Sequence, residues 1–154
     1  MACTGRYATA TEYNNLLCAG LADPVTGIIP ADTVTVIESA LDLAASDIHM
    51  ALAASNQCSC TMSAWGLVYA KKLNIMDAAV LQNCPCGQAL RTEETKARVM
   101  AWLEKQYELI RNSQIALCEG ATGADYPAMG VTQYGGSTDW NDIQIILDRE
   151  ARTP

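Results

Sequence analysis

From residue 34 to residue 52, apolar side chains recur at steps of three and four: Val34, Ile37, Leu41, Ala44, Ile48, Ala51 and Leu52. At the α-helical period this places them on one stripe, with Glu38, Asp42, Ser46 and His49 on or near the polar side. The pattern predicts a helix capped by Asp32 or Thr33 and running to about Ser55. Its alanines (Ala40, Ala44, Ala45, Ala51, Ala53 and Ala54) permit close helix-on-helix approach. A helix of this kind has to be covered by other helices, so the rest of the chain is read for partners.

Three further stretches supply them. A short helix is expected over Glu12–Leu17, with Thr9 or Thr11 as cap, Glu12 at the positive end of the dipole and Gly20 as its end. Trp65, Tyr69, Leu73, Met76 and Val80 hold one phase through Asn74 and Asp77, which predicts one continuous helix from after Cys60 to about Gln82, weakened only slightly by Gly66. Pro85 and Gly87 break the chain before a fourth helix that opens at Thr92 with Glu93 and Glu94 in its first turn. Val99, Leu103, Tyr107 and Ile110 form its core side with Trp102 alongside, Arg111 complements its C-terminal end, and Asn112-Ser113 stops it. Trp65 and Trp102 are both assigned to the core.

The predicted fold is therefore all-α: a small bundle of about four helices over residues 1–118, followed by a long, largely irregular C-terminal arm over residues 119–154. Five glycines and Pro127 fall between Gln114 and Gly136. Beyond them Trp140, Ile143 and Leu147 are spaced as a short amphipathic helix, with a strand through Ile145 and Ile146 as the alternative. An arm ending in the apolar patch Trp140, Ile143, Ile146 and Leu147 cannot bury itself easily, and either folds back on the core or docks on another subunit.

Composition narrows the function classes. The chain of 154 residues carries 17 acidic and 10 basic side chains, a net charge of −7. Phosphate neutralisation by Lys and Arg supplies most non-specific nucleic-acid affinity, so this chain is poorly suited to gripping DNA or RNA. The charge is uneven: −5 over residues 1–60, +2 over 61–118 and −4 over 119–154. That distribution suits subunits meeting opposite-sign patches on neighbours, and folding alone scatters charge in the same way. No apolar run reaches the roughly 18 residues of a membrane span. The N-terminus also lacks the apolar stretch of a secretory signal.

Seven cysteines occur, at positions 3, 18, 58, 60, 84, 86 and 118. Cys58-Ser59-Cys60 and Cys84-Pro85-Cys86 form two close pairs, but one intervening residue is tighter than the spacing of a zinc tetrathiolate. If residues 61–82 form one helix, the pairs lie roughly 33 Å apart, and shared coordination requires a reversal at Asn74. The sequence favours ordinary reduced thiols packed as small hydrophobes, with a metal site and disulfides as the alternatives. His49, the sole histidine, has no neighbouring nucleophile motif and reads as a packed or surface residue. Gly120-Ala121-Thr122-Gly123 lacks the Lys of a phosphate loop, and Glu93/Glu94 and Glu104/Glu108 read as solvated helix faces. No catalytic, cofactor or metal residue is assigned.

The opening Tyr7-Ala8-Thr9-Ala10-Thr11-Glu12-Tyr13 resembles the start of tailed-bacteriophage head–tail connector proteins, also called neck adaptors or head-completion proteins. The alanine-rich second helix, the third helix, and the Leu103…Leu109-Ile110-Arg111 helix followed by Ile115-Ala116-Leu117 are similar to that family in order and rough length. The likeness covers about residues 7–118. It departs at Asn112-Ser113, where such proteins often carry glycine, at the paired cysteines, and in the longer arm. The resemblance implies a structural virion protein, made in the host cytoplasm and located in the neck between capsid and tail. It implies a ring, commonly of twelve copies, below the portal protein, carrying the tail or a stopper protein and continuing the channel through which DNA passes without specific binding. Trp140, Ile143, Ile146 and Leu147 would then anchor the arm on the portal or an adjoining subunit. The alternative is a small zinc-binding interaction module built on Cys58, Cys60, Cys84 and Cys86. Metal analysis of the purified protein separates the two: the connector reading expects zinc near zero, and one zinc per chain would favour the cysteine module.

Overall fold

The computed structural model describes residues 5–17, 20–82 and 92–119. Over these residues the chain forms α1 (Ala10–Leu17), α2 (Ala31–Ala54), a 3-10 turn (Ser59–Thr61), α3 (Ala64–Leu81) and α4 (Glu93–Arg111). The predicted all-α bundle is the fold observed. Residues 120–154, where the irregular arm was expected, lie outside the described residues, as do Cys84 and Cys86.

Local chemistry sets where each helix begins. Thr9 and Glu12 form a reciprocal cap: the Glu12 N–H donates to Thr9 Oγ1 (3.2 Å) while the Thr9 N–H donates to a Glu12 carboxylate oxygen (2.9 Å). This satisfies two orphan donors and starts α1 at Ala10, so that Thr9, of the two caps the sequence offers, is the one used. α2 begins earlier than expected. Pro30 stands at its N-cap and makes no side-chain cap, so Asp32 and Thr33 fall inside the first turn, where Asp32 complements the dipole instead. Ser63 Oγ accepts from the Gly66 N–H to cap α3, and Thr92 Oγ1 accepts from the Thr95 N–H to cap α4 as the sequence predicts. Ser113, with φ of +57°, turns the chain out of α4.

α2 and α3 make the widest interface, and α4 packs across both. The expected α2 stripe is the buried one: Ile37, Leu41, Ala44, Ile48, Ala51 and Leu52 are all enclosed, with Val34 half-buried at the end. α3 differs from the rest. Every residue from Leu73 to Ala79 is buried, so this helix is enclosed on all sides along two turns. Asn74, expected to mark a reversal if the cysteine pairs were to meet, sits fully buried within an unbroken helix. Its Nδ2 donates to Leu41 O (2.8 Å), and its Oδ1 accepts from the N–H groups of Tyr7 (3.1 Å) and Ala8 (3.2 Å). The amide thereby ties the N-terminal segment to the α2–α3 interface.

Segment 115–118 closes the far end of the core, with Ile115 and Leu117 buried. It passes so near α3 that a Cβ at Gly66 would lie 2.0 Å from Leu117 O. Helix propensity alone favours Ala over Gly by about 1 kcal/mol, whereas overpacking costs about 1–3 kcal/mol. Because the clash is with backbone, the second effect wins. Gly66→Ala should therefore lower stability in denaturant titrations; a neutral or stabilising effect would show that segment 115–118 does not lie against α3.

Candidate functional site

Residues 115–118, just before the segment read from the sequence as an arm, are held by a buried glutamine. Gln57 Nε2 donates to Ile115 O (2.9 Å) and Ser55 Oγ (3.0 Å), while its Oε1 accepts from the N–H groups of Leu117 (2.7 Å) and Cys118 (3.3 Å). Leu117 O in turn accepts from the Ser63 N–H (2.9 Å) and hydroxyl (3.1 Å). Met62 and Cys118 pair in an antiparallel bridge, and the Glu119 N–H donates to Thr61 O (2.6 Å). The described chain thus reaches Glu119 beside the first turn of α3, held there by these bonds.

Two cysteines belong to this contact. The Cys118 thiol is buried and donates to Cys58 O (2.7 Å); burial, with the neighbouring Cys58, pushes its pKa up. A thiol held protonated in this way is a poor nucleophile. Cys58 is free and exposed, but Cys60 is disulfide-bonded, which corrects the expectation of reduced thiols throughout. A disulfide sulfur is not a thiolate ligand, so a zinc site drawing on both Cys58 and Cys60 does not fit this arrangement. Among the described residues no group of three or more His, Cys, Asp or Glu could hold a metal ion.

The outward faces of α2 and α3 carry what the core leaves uncovered. On α2, Val36, Leu43 and Met50 stand seven residues apart, each at least 60% exposed. On α3, Trp65, Leu67 and Val68 are exposed, with Lys71 and Lys72 one turn further on. The core assignment of Trp65 is thereby corrected: it lies 42% exposed, stacked on the Tyr69 ring at 5.2 Å, because the core side of this turn is taken by Gly66 and Leu117. Trp102 is half-buried against the core as expected. Between α1 and α3 lies an open groove of about 390 Å³, lined by Leu16, Val68, Ile75, Lys71, Lys72 and the α1 side chains Glu12 and Asn15. Lys71 crosses its edge to pair with Glu12 (2.5 Å).

Titratable groups inside the bundle serve packing. His49 is half-buried with its ring edge-on to Tyr7 (5.5 Å between centroids), and burial lowers its pKa. The Tyr107 hydroxyl donates to Asp77, and the Tyr69 hydroxyl to Gln106, both across the α3–α4 interface. Burial, with Asp47 adding to it, pushes Asp77 up to about 6 despite the Tyr107 bond. Glu93, Glu94, Glu104 and Glu108 are solvated, as expected.

Trp140, Ile143, Ile146 and Leu147, the binding residues read from the sequence, lie outside the described residues. The exposed strips were missed, although the seven-residue spacing of Val36, Leu43 and Met50 is visible in the sequence; it was hidden behind the stronger core stripe of the same helix. No family model, curated protein or solved structure matches the chain. Among the described residues no helix is long and apolar enough to cross a membrane.

The Asp77 environment has a pH signature. With its native pKa raised from 3.8 to about 6, the folded protein keeps a proton that the unfolded chain releases, so this residue's contribution to stability falls as pH rises across that window. Asp77→Asn, neutral throughout, should abolish the fall and gain up to roughly 3 kcal/mol on the parent between the two ends of the window. Parallel denaturant titrations of the parent and variant check this, and equal pH slopes would contradict it.

Proposed function

We propose that the chain is a structural head–tail connector of a tailed bacteriophage, assembling as a ring, commonly of twelve copies, below the portal and carrying the tail or a stopper protein. The observation that supports it best is the uncovered strip Val36, Leu43 and Met50 along the longest helix. Three large apolar side chains in heptad register on a rigid helix suit lateral contact with another helix, and a ring of copies supplies one at every interface. The resemblance of residues 7–118 to connector proteins gives the same reading from the sequence.

Charge is consistent with a channel. At −7 the subunit repels phosphates, so DNA slides past a wall that does not hold it. The arm is the clamp on the portal or the adjoining subunit, with Trp140, Ile143, Ile146 and Leu147 as apolar anchors. Residues 115–118, held by Gln57 and Ser63, set where the clamp starts. On this reading the protein works by assembly, without a chemical step, in the virion neck.

Deleting residues 119–154 should abolish capture by the portal while circular dichroism still reports a folded helical core; unchanged capture would refute the clamp. Leu43→Glu changes an exposed side chain and should alter stability by no more than about 0.5 kcal/mol. It should nevertheless prevent ring formation on the portal, read by negative-stain imaging and light scattering. Intact rings from this variant would remove the α2 strip from the subunit contact.

A further inference from the structure

Two free thiols meet where residues 115–118 pass the turn that follows α2. Cys118 is buried, and its Sγ lies 2.7 Å from the carbonyl oxygen of Cys58. Following the bonds from that oxygen to Cα, the Cys118 sulfur is no more than about 5.5 Å from Cys58 Cα, the atom that carries the Cys58 side chain. The backbones on either side are pinned together. The Cys118 N–H donates to Gln57 Oε1 (3.3 Å), Cys118 pairs with Met62 in the antiparallel bridge, and the Glu119 N–H donates to Thr61 O (2.6 Å). A disulfide asks for Cα atoms about 4.4–6.8 Å apart, and segments paired this closely suit that span.

The two thiols differ in access. Cys58 is exposed, so an oxidant in solution reaches it, whereas Cys118 is covered and its thiol is kept protonated by burial. Cys58 therefore reacts first. Cys60, on the same turn, is disulfide-bonded, so this part of the chain already holds one cysteine in the oxidised state.

We infer that Cys58 and Cys118 are a redox pair, joined by a small disulfide oxidant such as oxidised glutathione into a bond that staples segment 115–118 to the turn after α2. The Cys58 thiolate attacks one sulfur of the oxidant, forming a mixed disulfide and releasing one glutathione thiolate. The Cys118 thiolate then attacks the Cys58 sulfur: the protein disulfide forms, the mixed disulfide breaks, and a second glutathione thiolate leaves. In all, two cysteine thiols give up two electrons and two protons, and one oxidised glutathione becomes two reduced ones. Proximity drives the second step, because a thiol held beside the mixed disulfide outcompetes one free in solution. Deprotonation of the buried Cys118 limits its rate, so closure speeds up as pH rises. The bond closes a loop of about sixty residues, which restricts the unfolded chain and so stabilises the folded one. This goes beyond the connector reading and involves no partner protein, so loss of portal binding leaves it standing.

Peptide mapping by mass spectrometry tests it, on the full chain incubated with oxidised glutathione at about pH 8 and then trapped with N-ethylmaleimide in denaturant. The parent should yield fragments linked through Cys58 and Cys118, with no glutathione left on either. Cys118→Ser should stop at the mixed disulfide, carrying one glutathione on Cys58. Cys58→Ser, which changes an exposed side chain, should leave Cys118 as a thiol. Oxidation should raise the thermal midpoint of the parent by at least about 5 °C and leave that of Cys118→Ser where it was. A parent that stops at the mixed disulfide, or that joins Cys58 of one chain to Cys58 of another, would overturn the pair. A linked parent whose midpoint does not rise would overturn the staple.

Discussion

The structure is organised by the need to enclose α3. A helix with seven consecutive buried residues, Leu73 to Ala79, has no side to give to water, and apolar surface all round a helix is stable only when every side is covered. α2 takes one side, α4 another, the N-terminal segment lies over Asn74, and segment 115–118 closes the first turn against Gly66. The two polar side chains within the buried run are partnered, Asn74 by three backbone groups and Asp77 by Tyr107. Unpartnered, each would cost about 1–3 kcal/mol.

Irregular chain can be buried only where its N–H and C=O groups find partners, since it has no helix to supply them. Two side-chain amides do this, one in the middle of α3 and one beyond the C-terminus of α2. Asn74 accepts from Tyr7 and Ala8, and Gln57 receives Leu117 and Cys118 while donating to Ile115. An amide side chain suits the task because it offers donors and acceptors together. At Gln57 the effect is to fix residues 115–118 beside the first turn of α3.

Much of the fold was legible from spacing. The α2 stripe, the continuity of α3 through Asn74, and the Thr92 cap with Glu93 and Glu94 all follow from periodicity and capping chemistry, which act within a few residues. What spacing could not show depends on distant neighbours. Gly66 reads as a mild helix weakener until Leu117 is found against it, and Trp65 reads as core until that same contact occupies its place. Pro30 displaced the expected Asp32 or Thr33 cap because it fixes the chain entering α2 before either can act. The backbone partners of Asn74 and Gln57 lie more than 30 residues away, beyond any local pattern. Of the candidate site, the arm residues marked in the sequence lie outside the described residues, whereas the exposed strips of α2 and α3 emerged only once the core was known and its uncovered remainder could be seen.

Native-state hydrogen exchange on the full chain tests this organisation most directly. If enclosure of α3 is what the rest of the bundle achieves, amides from Leu73 to Ala79 open only with global unfolding, and their exchange free energies equal the stability measured in denaturant. Exchange of this stretch by local opening, at a lower free energy than the middle of α4, would show that α3 is not the element around which the protein is built.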